Sequence, residues 1–373
     1  MKVFNKSMRL ISIEIVKEGM TIGRTIWNEA GHPLLQKGVV ITEGILRRLK
    51  QLNLQYIYIE DTLSAGIVID ETVPFAVRQK AISTITSSFH TVRDASSDKA
   101  SFILDQQSKA LGNLVEDLLD TILNSDEILM VLTDAYLYDE YLYQHSFQVT
   151  LYSIAIAKEM GYSYEDLRVI GIGAMLHDIG KLLIPKDVLL KPGRLTEEEY
   201  ETMKLHTKYG FDLLRNLHSV SLLVAHCAFQ HHERIDGSGY PRGLVDFEIH
   251  PYAKIIAVAD VFDAITSNRV YHSKMFPSQA IEIIEAGSGK MFKPEIVEAL
   301  RRSVVHYPNG TTLLLTDGRR GVVSRQNSKM SARPFVRIFE EADELITATY
   351  ELDLSQHPSI TIEKIDVDYV ITG

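Results

Sequence analysis

The sequence is poor in three features that would place it in other protein classes. Cys227 is the only cysteine among 373 residues, so no disulfide can form within the chain. No apolar run reaches the roughly 18 to 20 residues that a membrane-spanning helix needs. Basic residues are also in deficit, because 39 Lys and Arg face 49 Asp and Glu and the formal net charge is −10. These absences predict a cytoplasmic protein with no intrinsic membrane segment and without the broad basic face that binds duplex nucleic acid.

Length and composition favour a multidomain globular protein. Hydrophobic residues make up 45% and charged residues 24% of the chain, as in ordinary folded domains. The residue patterns predict a small α+β module over residues 1–75, a helical connector over 76–124, a central all-α helical bundle over 125–303 and a β-rich module over 304–373. The N-terminal module carries no signature that separates regulation from dimerisation. The connector is compatible with a packed linker and with a homodimer contact.

Histidine and aspartate recur through the predicted bundle in a spaced series. The series occupies the ends or faces of separate predicted helices and comprises His145, His177, Asp178, His206, His231, His232 and Asp260. A helical bundle can bring such side chains to one point in its core. Five imidazoles and two carboxylates exceed one tetrahedral zinc site, but they suit two metal ions that share a bridging carboxylate.

Each of these residues taken alone has an ordinary explanation, since a single histidine on a helix is most often a surface or core residue. Asp260 is more informative, because it interrupts the apolar run over residues 255–262. An unpaired carboxylate on such a face would be costly to bury. A bound metal ion would compensate its charge.

Two longer motifs carry a family resemblance. Residues 177–181 (HDIGK) resemble the metal motif of the HD superfamily, and residues 231–244 (HHERIDGSGYPRGL) resemble the extended signature of the HD-GYP family. The similarity covers about residues 126–302. It implies an HD-type helical domain that acts as a cyclic di-GMP phosphodiesterase with two divalent metal ions. Iron or manganese is expected, and zinc, cobalt or nickel would also suit the ligands.

The resemblance further implies how the ligands divide between the ions. Asp178 would bridge them, with His145, His177 and Asp260 at one ion and His206, His231 and His232 at the other. A hydroxide held between the ions would attack a phosphodiester of cyclic di-GMP and open the ring to linear pGpG. A second cleavage to GMP stays open.

Other positions in the motifs are expected to contact the substrate. Lys181 would act with the bridging aspartate in catalysis by touching the scissile phosphate or assisting the leaving oxygen, and Asp263 would orient it. Arg269 would bind a guanine base or a phosphate, and His272 stands where the family often has a basic residue for the second phosphate. Tyr240 offers an aromatic face in a glycine-rich loop. That loop could contact the substrate or support the two adjacent histidines.

Departures from the family pattern leave alternatives open. Tyr141 stands where some members carry a glutamate for a third metal, so two ions are expected. A cyclic di-GMP sensor with little turnover, and an HD hydrolase of another phosphate ester or cyclic dinucleotide, are the rival functions. The C-terminal module has a run of basic residues without an acid among them, which favours a solvated sheet face over a nucleotide-binding or inter-domain surface: Arg319, Arg320, Arg325, Lys329, Arg333 and Arg337.

Overall fold

Strands lie towards both ends of the chain and helices fill its centre. The computed structural model describes residues 8–27, 33–51, 54–67, 69, 72–95, 99–125, 141–267 and 275–370. These residues form two compact units, one from the described parts of residues 1–71 and 305–373 and the other from those of 72–131 and 138–304. The multidomain layout is therefore confirmed, and the boundaries of the four predicted segments stay a prediction. No helix in these ranges is long and apolar enough to cross a membrane.

The first part of the strand-rich unit is a small α+β arrangement. Its elements are β1 (Met8–Ser12), β2 (Thr21–Ile22), β3 (Ile26–Trp27), β4 (Pro33–Leu35), α1 (Glu43–Gln51) and β5 (Tyr56–Glu60). β5 lies between β1 and β2 in an antiparallel sheet, and β3 pairs with β4. Ile11, Ile22, Leu49 and Ile59 are buried together in its core. The residue pattern predicts a helix over about residues 42–52 and a strand that starts at Tyr56, and both are present as α1 and β5.

The second part of this unit is a five-stranded antiparallel sheet. Its strands are β6 (Thr312–Leu315), β7 (Arg320–Arg325), β8 (Phe335–Glu341), β9 (Glu344–Asp353) and β10 (Ile362–Ile365), in the order β10-β6-β7-β8-β9. Ala342 and Asp343 join β8 to β9 with positive φ angles of 51° and 61°, the conformation that a two-residue hairpin turn requires.

The two parts of the unit are joined by the backbone and by a buried arginine. Leu10 in β1 forms a parallel bridge with Thr311, which lies just before β6. Arg9 is 3% exposed; it donates to the Asp61 carboxylate at 2.8 Å and to the carbonyl oxygen of Tyr369 at 3.1 Å. The N-terminal and C-terminal strands thus share one unit.

Arginines of the C-terminal sheet find acids on other strands and turns. Arg319 pairs with Asp317, and Arg325 pairs with Glu351 on β9 at 2.8 Å. Arg333 instead donates to backbone carbonyl groups, including that of Ile360 at 2.8 Å. Arg319 is thus paired with an acid two residues before it, whereas the acid that pairs with Arg325 lies 26 residues away.

The helical unit contains ten α-helices within the described residues. They are α2 (Phe75–Arg93), α3 (Ala100–Leu123), α4 (Tyr141–Glu159), α5 (Tyr164–Leu176), α6 (Lys186–Leu189), α7 (Glu197–Leu214), α8 (Leu222–Gln230), α9 (Pro251–Thr266), α10 (Pro277–Ala286) and α11 (Pro294–Ser303). One continuous apolar core includes residues of α2 and α3 as well as of the later helices, such as Phe89, Leu118, Phe147 and Phe262. The predicted connector belongs to this unit.

Side-chain caps fix where two helices of this unit begin. The sequence pattern at residues 196–199 predicts a capping box that opens a helix running to about Leu217. The Thr196 hydroxyl accepts from the backbone N–H of Glu199, and the Glu199 carboxylate accepts from the N–H of Thr196, so the capping box of α7 is confirmed. The helix ends at Leu214, three residues earlier than the pattern predicts. Ser163 and Asp166 form the same reciprocal pair at the start of α5.

Candidate metal centre

Five helices or helix ends deliver the predicted ligands to one place in the helical unit. α4 carries His145, α5 ends directly before His177, α7 carries His206, α8 ends directly before His231, and α9 carries Asp260. Two groups result, each with ligand atoms within 4.8 Å of one another: Asp178 with His206, His231 and His232, and His145 with His177 and Asp260. The grouping is the one that the family resemblance implies.

A glycine allows the turn after Asp178 to pack on α7. A β-carbon at Gly180 would overlap the carbonyl oxygen of His206 and approach the backbone nitrogen of Gly210 to 2.5 Å. Only a residue without a side chain permits this contact. The contact holds the aspartate beside the α7 histidine.

Asp178 lies between the two groups and presents one carboxylate oxygen to each. Its Oδ1 atom lies 3.4 Å from Nε2 of His206 and 3.7 Å from Nε2 of His231. Its Oδ2 atom lies 3.3 Å from Nε2 of His177 and 3.4 Å from Nε2 of His145. This division of oxygens is what a carboxylate needs in order to bridge two cations.

Hydrogen bonds at the far side of four imidazoles fix which nitrogen faces the centre. The Nδ1 atoms of His177, His206 and His231 lie 2.6, 2.7 and 2.9 Å from the carbonyl oxygens of Ala174, Met203 and Ala228, and Nδ1 of His145 lies 2.7 Å from Oδ2 of Asp263. A carbonyl oxygen can only accept, so Nδ1 carries the proton and Nε2 keeps its lone pair. Metal-bound histidines are oriented in the same way.

Burial and local charge set the protonation states that metal binding requires. Burial lowers the pKa of His206 to about 3 and also lowers the pKa values of His231 and His232. For Asp178, burial alone would raise the pKa, but Lys181 and the nearby imidazoles hold it well below its ordinary value. The pKa of Asp260 is likewise held well below its ordinary value, against the effect of burial, chiefly by His145. Neutral imidazoles and ionised carboxylates are the forms that bind divalent cations.

Two atoms at the centre are buried and lack a hydrogen-bond partner among the described residues. They are Nε2 of His177 and Oδ1 of Asp178. Buried polar atoms are nearly always satisfied, and leaving one unpaired costs roughly 1 to 3 kcal/mol. Nitrogen and oxygen lone pairs aimed at a common space fit divalent metal ions, which would satisfy both atoms.

The centre opens to solvent on one side. The side chain of Asp178 is 1% exposed, whereas those of Asp260, His232 and Lys181 are 11%, 19% and 21% exposed. The Lys181 ammonium group donates to Oδ2 of Asp178 at 2.5 Å. It therefore stands at the mouth of the site, where a phosphate could reach it.

Asp263 has a different partner from the one predicted. It was expected to orient Lys181, but its two oxygens accept from Nδ1 of His145 at 2.7 Å and from the Ser267 hydroxyl at 2.7 Å. One helical turn separates it from Asp260, and α4 lies against α9 so that His145 reaches both aspartates. Asp263 thus positions a ligand rather than the lysine.

The glycine-rich loop packs against a ligand. The Tyr240 ring stacks on the His232 ring with centroids 4.6 Å apart, and the backbone N–H of Tyr240 donates to the His232 carbonyl oxygen at 3.2 Å. Glu233, which is 3% exposed, accepts from the N–H groups of Arg242 and Leu244, both at 2.9 Å. These contacts favour the supporting role of the loop, and substrate contact by Tyr240 stays a prediction.

Sequence reasoning did not identify Glu233 as the residue that holds this loop. The available signal was an acidic residue placed directly between two predicted ligands and a run of glycines. Other predicted positions lie outside the described residues: Arg269 and His272 fall in the stretch 268–274, and nothing is described of the Tyr141 side chain.

Comparisons with known proteins identify the family of the chain. Residues 131–296 match the HD domain family. The chain is 30% identical over 356 residues to the cyclic di-GMP phosphodiesterase PA4108 of Pseudomonas aeruginosa, covering 90% of this chain and 86% of the relative. The chain belongs to the HD-GYP family.

Two further relatives match this chain over only part of their length. A cyclic di-GMP phosphodiesterase of Thermotoga maritima is 44% identical over 215 residues, which is 57% of each chain. The 3′3′-cGAMP-specific phosphodiesterase 3 of Vibrio cholerae is 36% identical over 170 residues, covering 46% of this chain and 37% of the relative. Relatives of both substrate specificities therefore resemble the chain.

Proposed function

We propose that this HD-GYP protein is a metal-dependent phosphodiesterase that hydrolyses cyclic di-GMP to linear pGpG, with two divalent ions bound by the seven clustered ligands. The observation that carries the proposal is the position of Asp178, which offers one oxygen to each ligand group while Oδ1 lacks a partner among the described residues. The Pseudomonas relative, which matches 90% of the chain, is named a cyclic di-GMP phosphodiesterase.

The chemistry divides between the ions and the residues of the chain. Divalent ions bound here would activate a water molecule and withdraw charge from the phosphodiester. His145, His177 and Asp260 would hold one ion, and His206, His231 and His232 the other. Iron or manganese suits these nitrogen and oxygen ligands, and zinc, cobalt or nickel would also be accepted.

Lys181 is the residue that the site offers to the substrate itself. Its ammonium group lies at the open side of the centre and is linked to the proposed bridging carboxylate. From there it can donate a hydrogen bond to a non-bridging phosphate oxygen and stabilise the charge that develops as the P–O bond breaks. Arg269 and His272 are proposed to contact the remainder of the dinucleotide.

The test joins metal content to product analysis. Protein purified without oxygen is assayed for bound metals by elemental analysis, and then given cyclic di-GMP with chromatographic detection of pGpG and GMP. A variant with both His177→Ala and Asp178→Ala should lose bound metal and hydrolysis while keeping its helical circular dichroism. His218→Ala, a change at an exposed histidine outside the centre, is the matched control.

Three outcomes would contradict the proposal in different ways. Full activity of the double variant would remove the metal centre from the reaction. Tight binding with negligible turnover by metal-replete protein would identify a sensor. Faster hydrolysis of 3′3′-cGAMP than of cyclic di-GMP in the same assay would assign the other specificity found among the relatives.

The biological setting of the reaction is proposed from the sequence. A cytoplasmic location and a homodimer contact through the N-terminal module or the connector both stay predictions. Size-exclusion chromatography with light scattering on the full chain would test the dimer.

A further inference from the structure

An aromatic and cationic surface on α7 extends away from the metal centre. Tyr200 and Lys204 lie one helical turn apart, and Lys204 is two residues before His206. With Tyr240 of the glycine-rich loop they form what we call the α7 shelf. Neither Tyr200 nor Lys204 has a role in the metal centre described above.

The shelf is connected to the open side of the centre by a series of rings. Tyr240 stacks on His232, and the centroid of the Tyr200 ring lies 6.3 Å from that of Tyr240 with an interplanar angle of 79°. The ammonium nitrogen of Lys204 lies 5.2 Å from the centroid of Tyr200 and 5.8 Å from that of Tyr240. These distances hold the cation beside both rings.

Exposure distinguishes Tyr200 from the other aromatic member of the shelf. Tyr240 is covered on one side by His232, whereas Tyr200 is 47% exposed. An exposed aromatic ring beside a nucleotide site is the usual platform for a base, because every base has a π-face. Lys204 also contacts the carboxylate of Glu201, so its ammonium group must share or exchange that partner when a ligand binds.

We propose that the α7 shelf binds one purine base of the cyclic dinucleotide, with the base stacked on Tyr200 and Lys204 donating to it. This inference rests on the proposed function and adds a determinant of substrate choice to it. Lysine donates to O6 and N7 of guanine, whereas adenine presents an N6 donor where guanine has the O6 acceptor. The shelf therefore selects guanine over adenine at this base.

Two substitutions separate the stacking contribution from the contribution of the cation. Tyr200→Ala removes the ring and should raise the KM for cyclic di-GMP by roughly tenfold, with a smaller change in kcat, since loss of one base stack weakens binding. Tyr200→Phe keeps the ring and should restore KM to within about twofold of the wild-type value. Tyr164→Ala, at an exposed tyrosine on α5, is the matched control.

Lys204→Met tests the choice between guanine and adenine. It should raise the KM for cyclic di-GMP by about fivefold. The inhibition constant of cyclic di-AMP, measured in the same assay, should change less than twofold, because adenine receives no hydrogen bond from the ammonium group at the O6 position. Lys208→Met, at an exposed lysine on the same helix, is the control.

The measurements distinguish failure of this inference from failure of the proposed function. If wild-type protein with its metals hydrolyses no cyclic di-GMP, the proposed function is wrong. If wild-type protein is active and Tyr200→Ala leaves KM unchanged, the shelf does not bind a base. Equal effects of Lys204→Met on cyclic di-GMP and cyclic di-AMP would overturn the selection for guanine. Metal content is measured in each variant, and metal loss in Tyr200→Ala would assign that residue a structural role instead.

Discussion

Arg320 in the strand-rich unit and Asp178 in the helical unit are both largely buried charges, but their surroundings differ. Arg320 contacts Glu340 and donates to Asp366 at 2.9 Å, and Glu340 also accepts from the Tyr369 hydroxyl at 2.5 Å. Asp178 faces a ring of imidazole nitrogens with lone pairs, and its Oδ1 atom has no hydrogen-bond partner among the described residues. The first arrangement is complete as it stands, whereas the second calls for cations. A buried charge with all its partners, such as Arg320, stabilises the fold, whereas one that lacks a partner, such as Asp178, indicates a functional site.

The largest effect on activity is expected at Asp178 in the candidate metal centre. Asp178→Asn keeps the shape of the side chain but removes the charge that both ions would share, so cyclic di-GMP hydrolysis should fall by at least about a thousandfold. The metal-free protein should stay folded, because the amide keeps the size of the carboxylate and its oxygen can still accept a hydrogen bond from the Lys181 ammonium group. Product chromatography and circular dichroism check the two parts.

The matched control for this change is Asp212→Asn on α7, an aspartate paired with Arg215 outside the centre. Activity near the wild-type level in Asp178→Asn would show that the unpaired oxygen is not part of the reaction.

At the fully paired cluster around Arg320, we expect a substitution to lower stability and leave activity unchanged. Arg320→Met leaves Glu340 and Asp366 without their shared cation, and breaking such a network costs about 3 kcal/mol of unfolding free energy. Bound metal and KM should not change, since the cluster lies in the other unit. Urea unfolding measures the stability, and elemental analysis measures the bound metal. A loss of metal without a loss of stability would contradict the assignment of Arg320 to the stability of the fold.

A smaller effect, on metal affinity, is expected at Asp263, which contacts the predicted ligand His145. Asp263 is fully paired itself, but it orients the ligand His145, so Asp263→Asn should weaken metal binding about 10- to 100-fold while added metal restores hydrolysis. Ser267→Ala removes only the other partner of Asp263 and should have little effect. Equal metal affinity in Asp263→Asn and wild type would show that the Asp263 carboxylate does not position His145 for metal binding.

The smallest effect is expected at a partly exposed cluster of one glutamate and two arginines. The pKa of Glu298 is lowered to about 2, first by hydrogen bonds from Arg301 and then by Arg302. A carboxyl group whose pKa is lower in the folded state stabilises the fold above its unfolded pKa, and that contribution is lost as the pH falls from about 4.5 towards 2. Because the group is 40% exposed, Glu298→Gln should cost less than about 1 kcal/mol at pH 6.

The measurement for this cluster is the difference in unfolding free energy between wild type and Glu298→Gln. That difference should shrink as the pH is lowered from 6 towards 3. A difference that grows on acidification would mean that folding raises the pKa of Glu298 instead of lowering it, and would contradict the prediction.

Local pattern predicted the parts of the molecule that depend on residues close in sequence. The capping box at Thr196 lies within four residues, and the motifs around His177 and His231 place most of the ligand series. Hydrogen-bond partners that depend on how distant helices pack were not predictable from local pattern. The family resemblance implied that Asp263 orients Lys181, yet the packing of α4 on α9 places the Asp263 carboxylate against His145.

The strand-rich unit shows the same limit over a longer distance. Arg9 and Leu10 lie about three hundred residues before their partners at Thr311 and Thr312, and no local signal indicates such pairing. The basic run at the C-terminal sheet was similarly ambiguous, because the acids that neutralise Arg320 and Arg325 come from other strands or from the segment after β10.

The bridge between Leu10 and Thr311 has a consequence for biosynthesis. At translation rates of about 5 to 20 residues per second, β1 leaves the ribosome roughly 15 to 60 seconds before its partner segment exists. The helical unit is synthesised entirely within that interval and can fold first. A chain that stops at residue 304 would keep all seven clustered ligands but leave β1 without its distal partner, so premature termination would expose a strand edge to aggregation rather than merely shorten the protein.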